Sequence, residues 1–317
     1  MAPHSPGVDP DLPQGLLHGL IIRQQSGFFS VQTGQGVYVC RLRGRLTKGP
    51  RLGDVAALGD RVQMTPLAPG RGVIETVEER QRMLVRLAPT PKGKYQQVII
   101  ANPDQAVFVF ACSHPAPRFG LLDRLLVIAE KQRLPALIVV NKLDRVSLQD
   151  ARELFAQYAP LGYPLIFTSA KSGAGLAELR QALAEKISVF AGPSGVGKSS
   201  LLNLLLPGLD LKAREVSHAT RKGRHTTVLR EMYPLGEGGY VADTPGLKAF
   251  ALWDIEPEEL DGYFPELREL VEGCQFSDCT HLHEPGCAVR AAVAQGTVHP
   301  KRYHSYLRMR QGQEEQG

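Results

Sequence analysis

Residues 192–199 read Gly192-Pro193-Ser194-Gly195-Val196-Gly197-Lys198-Ser199, the spacing G-x-x-x-x-G-K-[ST]. Glycines at these intervals let the backbone turn tightly, so that several N–H groups converge on a phosphate chain. Lys198 supplies positive charge to β- and γ-phosphates, and the Ser199 hydroxyl suits magnesium. A helix opening at Lys198 adds its N-terminal dipole. A second element, Asn141-Lys142-Leu143-Asp144, chooses a base. The Asp144 carboxylate can accept two hydrogen bonds from guanine, the ring N–H and the exocyclic amine. Adenine lacks that donor pair, and a polar site of this kind rejects the wrong partner by about four orders of magnitude. Asn141 is expected to reach the other guanine edge, and the Lys142 stem to cover the ring face. Within Thr168-Ser169-Ala170-Lys171 a backbone N–H is expected at the guanine carbonyl oxygen.

Three further positions belong to the same chemistry. In Asp243-Thr244-Pro245-Gly246, Asp243 should hold magnesium through water and the Gly246 N–H should sense the γ-phosphate. The loop Gly223-Arg224-His225-Thr226-Thr227 is the candidate first switch, with Thr227 preferred to Thr226 as the threonine that closes on magnesium. Leu247 follows Gly246 and can neither position nor polarise a water molecule. His225, with an unperturbed pKa near 6.5, is the nearest group to serve as the catalytic residue; local packing within the loop is its alternative role.

Cys274, Cys279 and Cys287 crowd together with His281 and His283 among them. Three thiolates and one imidazole suit a closed, tetrahedral structural zinc with no open catalytic position. Spacing alone leaves His281 and His283 as rivals for the fourth ligand. Cys40 and Cys112 sit in apolar, strand-like runs and read as buried small hydrophobes.

The elements that must position these groups fall into segments. Residues 1–15 are a Pro/Gly-rich lead-in. Over 16–90 short strands broken by Gly turns imply a small OB-like barrel, with a hairpin between Phe28–Val31 and Val37–Leu42. The second strand alternates, placing Tyr38, Cys40 and Leu42 on one face and Arg41, Arg43 and Arg45 on the other. Residues 88–97 read as a Pro/Gly/Lys-rich connection. From 98 to 250 strands and helices alternate: strands at Gln105–Phe110, Ala136–Val140, Leu165–Thr168 and Ile187–Ala191, and helices at Leu121–Arg133, Ala151–Tyr158 and Leu176–Lys186. That order implies a parallel sheet with right-handed crossovers. Val228–Tyr233 and Tyr240–Ala242 read as an antiparallel hairpin. Residues 251–310 are helical around the Cys/His cluster and close on the basic segment Pro300–Arg310, in which Tyr303, Tyr306 and Leu307 form a packing face. Residues 311–317 are a polar tail.

The 317 residues carry a formal charge of +5, unevenly spread. Residues 1–96 hold 13 Lys and Arg against 7 Asp and Glu, and the remainder 24 against 25. The excess in the first third points to a polyanionic partner for the barrel. No apolar run approaches the roughly 18 residues that cross a bilayer, and the start is not a signal peptide, so a cytoplasmic protein is expected.

In ordinary G domains the guanine reader follows the phosphate loop; here it precedes it. The fold class is therefore an α/β circularly permuted P-loop G domain, with an N-terminal β-barrel (OB-like) domain and a C-terminal helical zinc-binding domain. Together, Gly192–Ser200 (ending in Ser199-Ser200), Asn141–Asp144, Gly223–Thr227, Asp243–Gly246 and the C-x4-C-x-H-x5-C pattern resemble the RsgA family of small-ribosomal-subunit biogenesis GTPases. The resemblance spans residues 16–310. It implies GTP hydrolysis with magnesium, GTP and GDP as ligands, and one structural zinc with His281 rather than His283 as a ligand. It also implies binding of the small ribosomal subunit and its rRNA, a role late in subunit maturation, and hydrolysis accelerated by the subunit. Gly195 stands where potassium-activated relatives carry Asn, so potassium dependence is not implied. A monomer is expected. The alternative reading is a nucleotide-gated RNA-binding adaptor in which hydrolysis is incidental. The permuted order places the exit to the zinc module just after the second switch, at Leu247–Trp253, so that loss of the γ-phosphate is expected to pull on that module.

Overall fold

The computed structural model describes residues 15–48, 53–90, 93–206, 208, 230–236, 238–243 and 255–313. They fall into two compact units. One contains residues up to 103 with 185–187 and 209–244, the other residues 104–184, 188–208 and 245–317.

In the first unit, strands β1 (Leu17–Gln25), β2 (Phe28–Thr33), β3 (Gly36–Leu42), β4 (Arg61–Ala68) and β5 (Arg71–Val77) close into a barrel. β1 pairs antiparallel with both β2 and β4, β2 with β3, and β4 with β5, while β3 and β5 run parallel. Every edge is thereby paired. Alternation fills the interior with Ile21, Phe29, Val31, Tyr38, Cys40, Val62, Met64 and Ile74. The expected hairpin is present, with Val31 opposite Tyr38. The basic face is narrower than its alternation suggested. β3 ends at Leu42, and Arg45 lies in a 3-10 turn over Gly44–Thr47. Arg43 and Arg45 both pair with Glu75, which leaves Arg41 stacked 4.4 Å from the Phe28 ring centroid.

Residues 88–97 are not a simple connection. They belong to a hairpin of β6 (Met83–Thr90) and β7 (Gly93–Ala101), with Pro89 opposite Lys94. The β-branched flanks, Val85 and Val98–Ile100, outweigh the turn residues. Pro is tolerated because both strands of a two-stranded ribbon are edges. Two later strands, β12 (Arg230–Pro234) and β13 (Tyr240–Asp243), form the expected antiparallel pair, and β12 pairs with β1.

The second unit is built on a parallel sheet in the order β10 (Leu165–Phe167), β9 (Ala136–Asn141), β8 (Gln105–Ala111), β11 (Ile187–Ala191). Every residue of β8, β9 and β11 is buried, the composition of a sheet covered on both faces. Helices α1 (Phe119–Lys131), α2 (Leu148–Leu154), α3 (Leu176–Leu183) and α4 (Lys198–Leu205) alternate with these strands. α2 starts earlier than expected because Ser147 caps it, accepting from Asp150 N. The C-terminal part contains α5 (Pro265–Arg268), α6 (Ala288–Ala294) and α7 (Pro300–Arg310). Its core of Phe264, Leu267, Val289 and Tyr306 includes Val127 of α1. Tyr303, Tyr306 and Leu307 of α7 do form a packing face. Arg302, 1% exposed, crosses the same boundary to Asp123 of α1 and Glu266 of α5.

Candidate nucleotide site and metal centre

The phosphate loop joins β11 to α4, the strand-to-helix context that lets its amides converge. Gly192, Gly195 and Gly197 all have positive φ. At Gly192 a Cβ would meet the Val109 carbonyl oxygen at 2.1 Å, and at Gly197 the Asn141 amide nitrogen at 2.4 Å. Both glycines are required by backbone shape and by space. The Lys198 ammonium donates to the Gly192 and Pro193 carbonyls, 2.8 and 2.9 Å away, at the rim of the cradle.

The base-reading element leaves β9 directly above the neighbouring loop. Asn141, 1% exposed, is tied into its surroundings through both atoms of its amide. Its amide donates to Val196 O in the phosphate loop (2.8 Å) and accepts from Thr168 Oγ1 and Ala170 N (3.2 Å each). The side chain braces three loops against one another. The Ala170 N–H, one backbone donor of the Thr168–Lys171 segment, is engaged in that brace. Lys142 adopts φ 70° and carries its ammonium to Gly195 O at 2.6 Å and to His114 O, so it too fastens the phosphate loop.

Asp144 is exposed and available to a base. The Ser169 hydroxyl donates to its Oδ1 at 2.6 Å while accepting from Lys171 N and Ser172 N. That bond is the largest reason the Asp144 carboxyl is held below the usual range, which keeps it an acceptor-only anion. Sequence reasoning missed Cys112. Its thiol donates to Asn141 O and Lys142 O, and burial pushes its pKa up, so the donor stays protonated. Nothing but an apolar context marked it in the sequence. Asp243 ends β13. Its side chain, and the residues His225, Thr226, Thr227, Gly246 and Leu247, lie outside the described residues.

In the C-terminal part the ligand atoms of Cys274, Cys279, His281 and Cys287 lie within 4.8 Å of one another. His281 Nδ1 faces Cys287 Sγ at 3.4 Å and Cys274 Sγ at 3.6 Å. Its other nitrogen, Nε2, lies 3.1 Å from Asp261 Oδ2, the outer carboxylate that fixes tautomer and ring orientation. His283 is not in the cluster. The donor set, three soft sulfurs and an oriented imidazole with no open position, fits a closed tetrahedral ion of the zinc type. Glu284 organises the loop, accepting from the backbone N–H groups of Thr280, Leu282 and His283 and from the Thr280 hydroxyl. Desolvation opposes its charge, but these donors prevail and hold its carboxyl well below the usual range. Asp261 and Glu284 escaped sequence reasoning because a carboxylate in an acidic stretch carries no distinguishing pattern.

Residues 77–253 match the family model of the RsgA GTPase, and residues 18–74 that of the RsgA N-terminal domain. The chain belongs to the RsgA GTPase family. Within it, the chain is 44% identical to a small ribosomal subunit biogenesis GTPase RsgA of Gemmatimonas aurantiaca, covering 92% of this chain and 96% of that one. Its identity to the Moorella thermoacetica RsgA is also 44%, with 92% and 95% covered. The fold is similar to YjeQ from Thermotoga maritima (TM-score 0.75, 36% identity, 95% and 100% covered). It is also similar to YloQ, described as a circularly permuted GTPase (TM-score 0.72, 32% identity, 96% and 97% covered). As a member of the RsgA family the chain is a GTP hydrolase, and its fold is that of a circularly permuted GTPase.

Proposed function

We propose that this GTPase binds the small ribosomal subunit through its rRNA, acts late in subunit maturation, and is released when GTP is hydrolysed. The observation that carries the nucleotide half is the brace of Asn141 and Lys142, which fixes the Asp144–Ser169 pair against the phosphate loop. The ribosomal half is supported by the names of the relatives, small ribosomal subunit biogenesis GTPases, and by the positive excess on the barrel's part of the chain. Lys198 and the loop amides would hold the phosphates, and Ser199, Thr227 and Asp243 the magnesium that accompanies GTP. Gly246 would sense the γ-phosphate, and His225 would orient the attacking water. Cys274, Cys279, His281 and Cys287 would hold one zinc ion, whose role is to fold the loop. GTP would close the protein on rRNA and hydrolysis would open it.

Leu247 favours one second reading, an RNA-binding adaptor gated by nucleotide occupancy, because leucine cannot polarise the attacking water. GTP turnover measured with and without purified small ribosomal subunits separates the two. Acceleration by the subunit, lost in His225→Ala, supports the proposal. Turnover indifferent to the subunit, with GTP-dependent subunit binding intact, supports the adaptor.

A further inference from the structure

The five strands of the barrel lie within residues 15–48 and 61–77. The first stretch carries five Lys and Arg and the second two, and between them they hold one acidic residue, Glu75. That carboxylate is set beneath two of the cations. Its side chain is 9% exposed, whereas those of Arg43 and Arg45 are 49% and 64% exposed. Arg43 donates to both carboxylate oxygens, from Nε at 3.0 and 2.8 Å and also from Nη2. Arg45 Nη2 donates to the Glu75 carbonyl at 3.2 Å and to Oε2 at 3.4 Å, and the Thr65 hydroxyl donates to Oε1 at 3.2 Å. The remaining cations of β3 and β5 lie in the same row. Val39 stands opposite Arg71 and Arg41 opposite Val73, and the Arg43 N–H then bonds the carbonyl of Ile74, the residue before Glu75. Arg41 and Arg71 line a groove with Phe28, Val39 and Leu67, and no Asp or Glu lines it. A polyanion lying along the row meets two whole positive charges at Arg71 and Arg41. At the other end it meets two arginines offset by one carboxylate. The Nε–Nη2 edge of Arg43, a fork that could hold a phosphate through two hydrogen bonds, is already occupied.

We propose that Glu75 is an internal competitor for RNA phosphate, holding Arg43 and Arg45 back and so limiting the affinity of the barrel for single-stranded RNA. This rests on the ribosomal reading above, in which the protein binds through rRNA. Phosphate contacts supply affinity that is indifferent to sequence, so a barrel with every arginine engaged would bind RNA in general. A carboxylate inside the row subtracts from that general term and leaves contacts made elsewhere to choose the site. Because the two guanidinium groups reach solvent, releasing them from Glu75 requires no repacking of the barrel interior, which is filled by Ile21, Val31, Met64, Ile74 and their neighbours.

The test uses the full chain with zinc bound and the phosphate loop filled with GDP and magnesium. A short fluorescein-labelled oligouridylate is titrated by anisotropy at several salt concentrations. Glu75→Gln should bind it more tightly than wild type, with a steeper loss of affinity as salt rises. Each released arginine adds about 0.7 to the slope on a single strand, or about 1.4 for the two, so the advantage over wild type should grow about sevenfold as salt falls from about 200 to 50 mM. Arg43→Gln/Arg45→Gln should change the affinity of the wild type by less than about twofold, because both side chains are already held. The same pair of changes made in Glu75→Gln should abolish its gain, which closes the double-mutant cycle. Should Glu75→Gln melt early by circular dichroism, Glu75→Thr, an uncharged strand former, supplies the same readout. If neither uncharged variant binds the oligonucleotide better than wild type, the proposal is overturned. It is also overturned if the arginine changes cost as much in the wild type as in Glu75→Gln, since Glu75 would then be orienting working contacts. Binding of wild-type protein to whole small subunits is scored separately, so the ribosomal reading can stand or fall by itself.

Discussion

Arg302 is the residue whose loss the structure makes most expensive. Its guanidinium donates to Asp123 Oδ1 at 2.7 Å and to Glu266 at 2.7 and 3.3 Å, and lies 4.6 Å from the Phe264 ring centroid. Three charge-assisted hydrogen bonds at about 1.5–3 kcal/mol each set a gross ceiling near 9 kcal/mol. Desolvation of three buried ions opposes this, so the expected cost of Arg302→Met is about 3–5 kcal/mol, the penalty for leaving a buried partner charge uncompensated. Asp123 takes most of that penalty, being 1% exposed. Burial already pushes its pKa up against the pull of Arg302, and removing the arginine raises it further. A carboxyl whose folded pKa lies above its unfolded value contributes stability that is present at low pH and lost as pH rises through the folded pKa. The deficit of Arg302→Met should therefore shrink as pH is lowered from 7 toward 5, and Arg302→Met/Asp123→Asn should recover part of it at pH 7. Urea unfolding monitored by circular dichroism reads all three quantities. A loss below about 1 kcal/mol at pH 7, or a deficit independent of pH, would refute the reasoning.

Four further outcomes test the sites. Asp144→Asn should shift preference from guanosine toward xanthosine nucleotides, read by competition binding; unchanged guanine selectivity removes Asp144 as base reader. Ser169→Ala should move the acidic limb of GDP affinity upward in pH, because Asp144 must be ionised to bind guanine and loses the hydroxyl that depresses its pKa. A uniform weakening with no shift in the limb shows that Ser169 only braces. Gly197→Ala places a Cβ 2.4 Å from Asn141 Nδ2; displacing all three of that side chain's neutral hydrogen bonds at about 0.5–1.5 kcal/mol each predicts GDP affinity lower by roughly 10- to 2,000-fold in fluorescent-GDP titration. Cys279→Ser should abolish stoichiometric zinc by mass spectrometry and lower the melting temperature, since metal binding in such loops is folding energy; full stability without zinc would show the cluster to be dispensable.

What the sequence disclosed and withheld follows physical lines. The parallel sheet was legible because β8, β9 and β11 are predominantly apolar runs separated by helical segments, and the barrel hairpin because Gly34 and Gly36 punctuate an alternating pattern. The hairpin of β6 and β7 was not, since Pro89 and Lys92-Gly93-Lys94 mimic a linker. Its strands are defined by pairing with each other, a long-range fact that local composition does not encode. Motifs located Asn141 and Lys142 and assigned them to the guanine, but gave no sign of their second role. The structure ties both to the phosphate loop, which is distant in sequence but comes to lie beside them and presents Val196 O and Gly195 O. Arg41, Arg43 and Arg45 looked equivalent until Glu75, on another strand, claimed two of them.

The same contacts limit how a nucleotide signal can leave the GTPase core. The permuted order routes the chain from the second switch into the zinc module, which suggested that the module is pulled directly. Yet α7 is held to α1 by Arg302, by the core shared with Val127, and by the Lys131–Glu259 pair between α1 and the segment before α5. α7 in turn holds the metal loop, through Tyr303 to His281 O and Tyr306 to Thr280 O. Swinging the module away from α1 breaks the Arg302 pairs at about 3–5 kcal/mol. That is most of the roughly 5.5 kcal/mol needed to drive a two-state equilibrium from 1:99 to 99:1. A ligand would spend nearly all of its differential affinity on separation and have little left for RNA. The cheaper motion keeps α1, α7 and the metal loop together as one body. α1 begins just beyond His114, whose carbonyl receives the same Lys142 ammonium that grips Gly195 O of the phosphate loop. We expect a change in that loop to be passed on through α1, so that Lys142→Met should weaken the effect of GTP on subunit binding more than it weakens GTP binding.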